Sequence, residues 1–97
     1  MPTATQNPAY VTLVADTDTT LTLAANYGAV EVVLIANPAV TQFNTTNTAI
    51  TTSTLTDGNH AVSSTLPAKT VRDESGGGPT VVRLRSSGTP TVGVYGS

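Results

Sequence analysis

The sequence predicts a single all-β domain, a β-sandwich or small jelly-roll-like β-barrel of about seven or eight strands. Thr and Val together supply about a third of the 97 residues. Their β-branched side chains, already restricted at χ1, suit a pleated surface better than a helix. Turn-forming residues recur at intervals of roughly 8 to 12 positions, and no stretch carries a helical apolar period.

An extended, proline-bearing N-terminal arm is expected over residues 1–9, and the β-sandwich domain over residues 10–97. Residues 10–15 alternate with Val11 and Leu13 on one face, and Asp16-Thr17-Asp18 then turns the chain. Residues 19–24 repeat the pattern with Leu21 and Leu23 inward, ending at Asn26-Tyr27-Gly28, which tolerates positive φ. Residues 29–36 are the most apolar segment and are expected in the middle of a sheet. Val30, Val32 and Leu34 face one way there, and Glu31, Val33 and Ile35 the other. That second face is half apolar, so it calls for a second layer or a neighbouring subunit.

Asn37-Pro38 ends this strand, since Pro lacks a ladder donor, and a further strand near residues 40–44 carries Phe43. Residues 45–59 read as a partly extended, Thr-rich loop in which Ile50 and Leu55 alone offer burial. Asp57-Gly58 signals a turn before short strands at 60–64 and 68–72, and Ser75-Gly-Gly-Gly-Pro79 reads as a flexible lead into the final strands. Residues 80–96 contain two alternating runs around Ser87-Gly88-Thr89-Pro90, the pattern of a β-hairpin. In it Val82, Leu84, Val92 and Val94 share the buried face, while Val81, Arg83, Arg85, Thr91 and Tyr95 lie on the other.

Composition narrows the function classes. Only 10% of residues are charged, against roughly 25% in an ordinary domain, and hydroxyls supply much of the polar surface. Such a surface loses water at less cost than one of Lys and Glu, which favours packing against another protein. A domain this small has a thin core, and the absence of Cys removes disulfides as support, so a partner subunit is an expected source of stability. A net charge of −2 supplies no field for phosphates, so no nucleic acid is expected. The opening residues lack a basic, apolar leader and no run is long enough to span a bilayer, so the reading is a soluble, unprocessed chain with no membrane partner.

Candidate chemistry is sparse, and the chain is read as not an enzyme, with no cofactor and no metal site. His60 is the only histidine, without triad or zinc spacing around it, and is read as a strand-entrance residue. Asp16-Thr17-Asp18 has the start of a calcium loop but not its later ligands. Asp73-Glu74 are adjacent carboxylates in a loop, poorly arranged for acid and base roles. Gly76-Gly77-Gly78-Pro79 lacks the Lys-Ser/Thr of a phosphate loop. Arg83 and Arg85 share a strand face and are read either as contacts for a partner's carboxylates or as edge-strand charges that discourage pairing.

Three stretches carry a family resemblance: Val-Ala-Asp-Thr-Asp-Thr-Thr-Leu-Thr-Leu at 14–23, Tyr-Gly-Ala-Val-Glu-Val-Val at 27–33, and Thr-Val-Val-Arg-Leu-Arg-Ser-Ser-Gly-Thr-Pro-Thr-Val-Gly-Val at 80–94. Together they cover about half the chain and resemble the small capsid decoration, or cement, proteins of tailed bacteriophages, particularly those of actinobacterial hosts. Residues 40–75 depart from that pattern. The resemblance implies a β-sandwich or barrel on the exterior of the virion head, binding the major capsid protein after shell expansion, often as a homotrimer, and it brings no catalytic motif. The expected contacts are Pro2, Thr3, Asn7 and Pro8 of the arm and Glu31, Val33 and Ile35 of the exposed strand face, with Arg83 and Arg85. The alternative is an adhesion or carbohydrate-binding module of a phage tail or cell surface. The lack of Trp counts against it, and clustering of Tyr10, Tyr27 and Tyr95 on an exposed face would favour it.

Overall fold

The computed structural model describes residues 7–97. Eight strands follow one another without a helix among the described residues: β1 (Ala9–Thr12), β2 (Thr19–Thr22), β3 (Ala29–Ala36), β4 (Thr41–Asn44), β5 (His60–Val62), β6 (Ala68–Arg72), β7 (Val81–Ser86) and β8 (Thr91–Gly96). They form two four-stranded sheets of order β1-β8-β3-β6 and β2-β7-β4-β5. Every pairing is antiparallel. Of the two expected architectures this is the sandwich.

The pairings have a simple logic. β1 with β8, β2 with β7, β3 with β6 and β4 with β5 are the rungs of one long folded ribbon. Wrapping that ribbon on itself adds the β3–β8 and β4–β7 ladders, which is the winding of a jelly roll. Every link between successive strands therefore crosses from one sheet to the other, except β4 to β5.

The terminal hairpin expected over residues 80–96 is not formed. β7 lies between β2 and β4, while β8 lies between β1 and β3 in the opposite sheet. The inward set is nevertheless as expected, with Val82, Leu84, Val92 and Val94 all fully buried. They meet across the sandwich rather than side by side. Alternation assigns faces, but it is blind to whether the next strand pairs or arches over the core. Gly88 lies in that arch, where an added Cβ would approach the Ala39 Cβ to 2.8 Å.

The core is a single layer between the sheets. From the first sheet come Val30 and Val32 of β3, Val71 of β6, and Val92 and Val94 of β8. Leu21, Phe43, Val62, Val82 and Leu84 come from the second, with Leu13 and Leu23 from the strand ends. β3 follows its expected bounds and sits mid-sheet between β8 and β6. Asn37, which ends it, takes a φ of 50°, and Asp16 in the β1–β2 turn takes 55°; short polar side chains are the ones that tolerate this region. The Asn26-Tyr27-Gly28 reversal needs no positive φ among its residues. Tyr27 is held there because its ring lies on Gly96, in the space a side chain at that position would occupy.

Residues 45–59 form the one long connection, and it folds over the outer face of the second sheet. Gln42 and Asn44 alternate with core-facing Phe43, yet both are buried, because this loop covers them. Gln42 Nε2 donates to the carbonyls of Thr52 and Thr54, at 2.9 and 3.0 Å, and its Oε1 accepts from the Thr56 N–H and from Asn59 Nδ2. Asn44 Nδ2 donates to the Thr48 carbonyl and to Asn59 Oδ1, while its Oδ1 accepts from the Thr48 N–H. Ile50 is buried beneath the loop, whereas Leu55, the other expected anchor, is 60% exposed. Hydrogen bonding to two buried amides, more than apolar contact, sets the path of this segment.

Leu84→Ala is expected to destabilise the domain by about 2–5 kcal/mol in chemical denaturation, and the outward Val81→Ala by less than about 1 kcal/mol. Gln42→Ala leaves several buried loop groups without partners and is expected to cost about 2 kcal/mol or more. Its signature is faster amide exchange within residues 45–59 at rates that leave β3 and β8 protected.

Candidate interaction surface

The outer faces of the two sheets differ. On the second, cross-strand register places Gln42 opposite Arg85 and Asn44 opposite Arg83. The loop lies over both arginines. Arg85 donates from Nε to Ser53 Oγ at 3.0 Å and from Nη1 to the Ile50 carbonyl at 3.1 Å. Arg83 donates from Nε to Asn47 Oδ1 at 2.9 Å and pairs through Nη1 with Asp18. Ser53 in turn donates to Asp16 Oδ1. These guanidinium groups are occupied within the chain, and β7 is a central strand, so the edge-strand reading of the pair is overturned. The planar fork suits this task because one group satisfies several fixed acceptors.

Among the described residues, nothing covers the outer face of the first sheet. One cross-strand row runs Tyr10, Gly93, Val33, Ala68, and the next holds Tyr95, Glu31 and Thr70. Thr12 and Thr91 lie beyond the first row, their hydroxyls 2.9 Å apart, and Ile35 beside them is 50% exposed. Tyr10 is 59% exposed. Its ring meets Tyr95 edge-on at 6.3 Å and 90°, with the hydroxyls 3.4 Å apart. Gly93 makes this arrangement possible, because a Cβ there would lie 3.0 Å from Tyr95 Cε1 and 3.1 Å from Tyr10 Cε1. The hydrogen bond with Tyr10 raises the Tyr95 phenol above its ordinary pKa, helped by partial loss of water and by the nearby charges of Tyr10 and Glu31. The face is thus apolar and aromatic, rimmed by threonine hydroxyls, with Glu31 as its central charge.

The expected contact residues divide accordingly. Glu31, Val33 and Ile35 do share this face, and Tyr10 and Tyr95 join them there. Pro2 and Thr3 lie outside the described residues. Asn7 borders the face: its Nδ2 donates to the Gly96 carbonyl at 2.7 Å and its Oδ1 accepts from the Gly96 N–H at 2.8 Å. The β1–β8 register would place residue 7 opposite residue 96, so a side-chain amide continues the ladder where the backbone leaves it. Pro8 follows through a cis peptide bond and is half-buried. Arg83 and Arg85 belong to the opposite side of the molecule. Tyr10 and Tyr95 share this face although they were not among the expected contacts. Their outward parity was a usable signal, and Gly93 between them marked where two rings had room.

Both carboxylate motifs take part in local polar contacts. Asp73 accepts from the Ser75 N–H, Ser75 Oγ and Thr80 Oγ1, at 2.9, 2.6 and 2.8 Å. Burial pushes its pKa up, but these bonds together outweigh it and hold the carboxyl below its ordinary value. It therefore remains ionised and fastens the β6–β7 loop. His60 packs against the Phe43 ring with centroids 5.5 Å apart. No group of three or more metal-ligating side chains occurs among the described residues. Because the folded pKa of Asp73 is depressed, its stabilisation is fully present above the ordinary value of 3.8 and is lost as pH falls through the lower folded value. Asp73→Asn is expected to flatten the acid limb of a stability-against-pH curve below about pH 4, with a loss of stability at neutral pH.

Comparison with family models, with curated proteins and with solved structures returned no match to this chain.

Proposed function

We propose that this chain is a structural, non-catalytic binding protein of a virion: a capsid decoration protein that docks on the exterior of a tailed-phage head and stabilises the shell. The supporting observation is the asymmetry of the sandwich. One outer face is closed by its own loop, and the other carries Tyr10, Val33, Ile35 and Tyr95 around a single carboxylate. A flat aromatic and aliphatic patch with a hydroxyl rim matches the composition of protein-binding surfaces. On this reading the major capsid protein is the partner. A homotrimer multiplies modest contacts through effective concentration, and selective binding to the assembled shell transfers stability to it. Residues 2–8 and the outer side of β3 supply the contacts.

A second reading has a specific observation in its favour. Tyr10 and Tyr95 do cluster on the exposed face, with Glu31 and the Thr12–Thr91 hydroxyl pair beside them. Aromatic faces flanked by hydrogen-bonding groups are what a saccharide requires. Tyr27 packs instead against the core and Gly96, and Phe43 is fully buried, so two rings carry this reading.

Electron cryomicroscopy of virions from the phage encoding the chain is the direct test, with density for it on the head exterior as the expected result. Val33→Asp, which puts charge in the patch without touching the core, is expected to lower head occupancy by about tenfold or more. Absence from purified particles, or full occupancy by this variant and by a chain lacking residues 2–8, sinks the head-binding reading. Glycan-array binding abolished by Tyr10→Ala would establish the saccharide one.

A further inference from the structure

The chain has four Lys and Arg residues in all. Arg83 and Arg85 are consumed in holding the loop. The other two, Lys69 and Arg72, line one hollow of about 320 Å³ together with His60, Thr70, Val71 and Glu74. Both remaining cations of an acidic protein thus converge on one place, and no ion pair joins either to a carboxylate among the described residues.

The hollow runs along the free edge of β6, the outermost strand of the first sheet. Pro67 accepts from the Leu34 N–H and Asp73 donates to the Gly28 carbonyl, so the odd-numbered residues from 67 to 73 turn their main-chain groups toward β3. Ala68, Thr70 and Arg72 consequently turn theirs away from the sheet. The Arg72 carbonyl is taken by Thr45 Oγ1 at 2.7 Å, which closes the edge at that end. Among the described residues, the Thr70 N–H and carbonyl are left open beside the cations, on an exposed residue.

We infer that this edge binds an extended acidic segment of a partner protein, which adds as a short strand along β6 and places its carboxylates against Lys69 and Arg72. Two independent features select this occupant: unpaired main-chain groups at Thr70 ask for a strand, and the cations ask for carboxylates. Alternate side chains of an added strand would fall on both sides of β6. One side reaches Lys69 and His60, which have inward parity, and the other reaches Arg72. A lysine on an edge strand discourages neutral strands from pairing, and so the same residue that attracts an acidic segment rejects unselected ones. The open edge is short, so charge supplies much of the selectivity and main-chain bonds set the register. Glu74 lies in the same hollow as a resident competitor. This inference concerns the β6 edge, which borders the tyrosine-bearing face and shares Thr70 with it, and it does not rest on the head-binding reading.

The test is a titration of the whole chain, followed by NMR and amide exchange, with a synthetic peptide alternating glutamate and threonine. The expected result is slowed exchange at the Thr70 amide, perturbed His60 resonances, and affinity that falls with added salt. Replacing the peptide's glutamates by glutamine, or combining Lys69→Gln with Arg72→Gln, is expected to weaken binding by about tenfold or more. Glu74→Gln is expected to tighten it by about threefold, a gain that loss of fold cannot imitate. Equal binding by the double variant, or binding with the Thr70 amide unchanged, overturns the inference. So does complete displacement of the peptide by inorganic phosphate at equal concentration, which would make the hollow a site for a free anion.

Discussion

The asymmetry of this molecule depends on a polar layer in which Gln42, Asn44, Arg83 and Arg85 bind residues 45–59 to the outer face of one sheet. Buried amides and half-buried guanidinium groups are tolerable only when nearly every donor and acceptor is matched, and here loop carbonyls, hydroxyls and the Asn59 side chain do the matching. The loop in turn needs them, since Ile50 is its only buried large apolar side chain. A segment with almost no apolar content is thereby ordered by hydrogen bonds. Asp16 and Asp18 tie the β1–β2 turn into the same layer through Ser53 and Arg83.

That layer makes the two outer faces of the sandwich unlike. With the second sheet covered, the outer face of the first sheet and the edge of β6 are two surfaces that the described residues leave exposed. They are chemically distinct. The face is aromatic and aliphatic with one carboxylate, whereas the edge holds the cations not used inside. A protein with so few charges has placed half of its Lys and Arg in its own architecture and the rest at one rim.

Glycine and asparagine serve geometry here in specific ways. Gly93 lets two tyrosines approach over a strand, Gly96 accepts the Tyr27 ring, and the Asn7 carboxamide stands in for a peptide group at the end of a ladder. Each device is local, yet each acts on residues distant in sequence, because the jelly-roll winding brings the first and last strands together.

Local patterning determined the strand-only class, the bounds of β3 and β6, the inward set from Leu13 to Val94, and the outward set of Glu31, Val33 and Ile35. These follow from the two-residue repeat and from turn chemistry, which act over a few bonds. Tertiary structure alone decided which strands pair. The terminal runs look like a hairpin, and they part into opposite sheets because both flanks of β8 are occupied by β1 and β3 and both flanks of β7 by β2 and β4. It also engaged Arg83 and Arg85 as anchors of the loop, and gathered Tyr10 with Tyr95 across most of the chain's length. Alternation states only that a side chain faces outward. Whether solvent, a loop or a partner waits there depends on groups many residues away, whose arrangement no local repeat encodes.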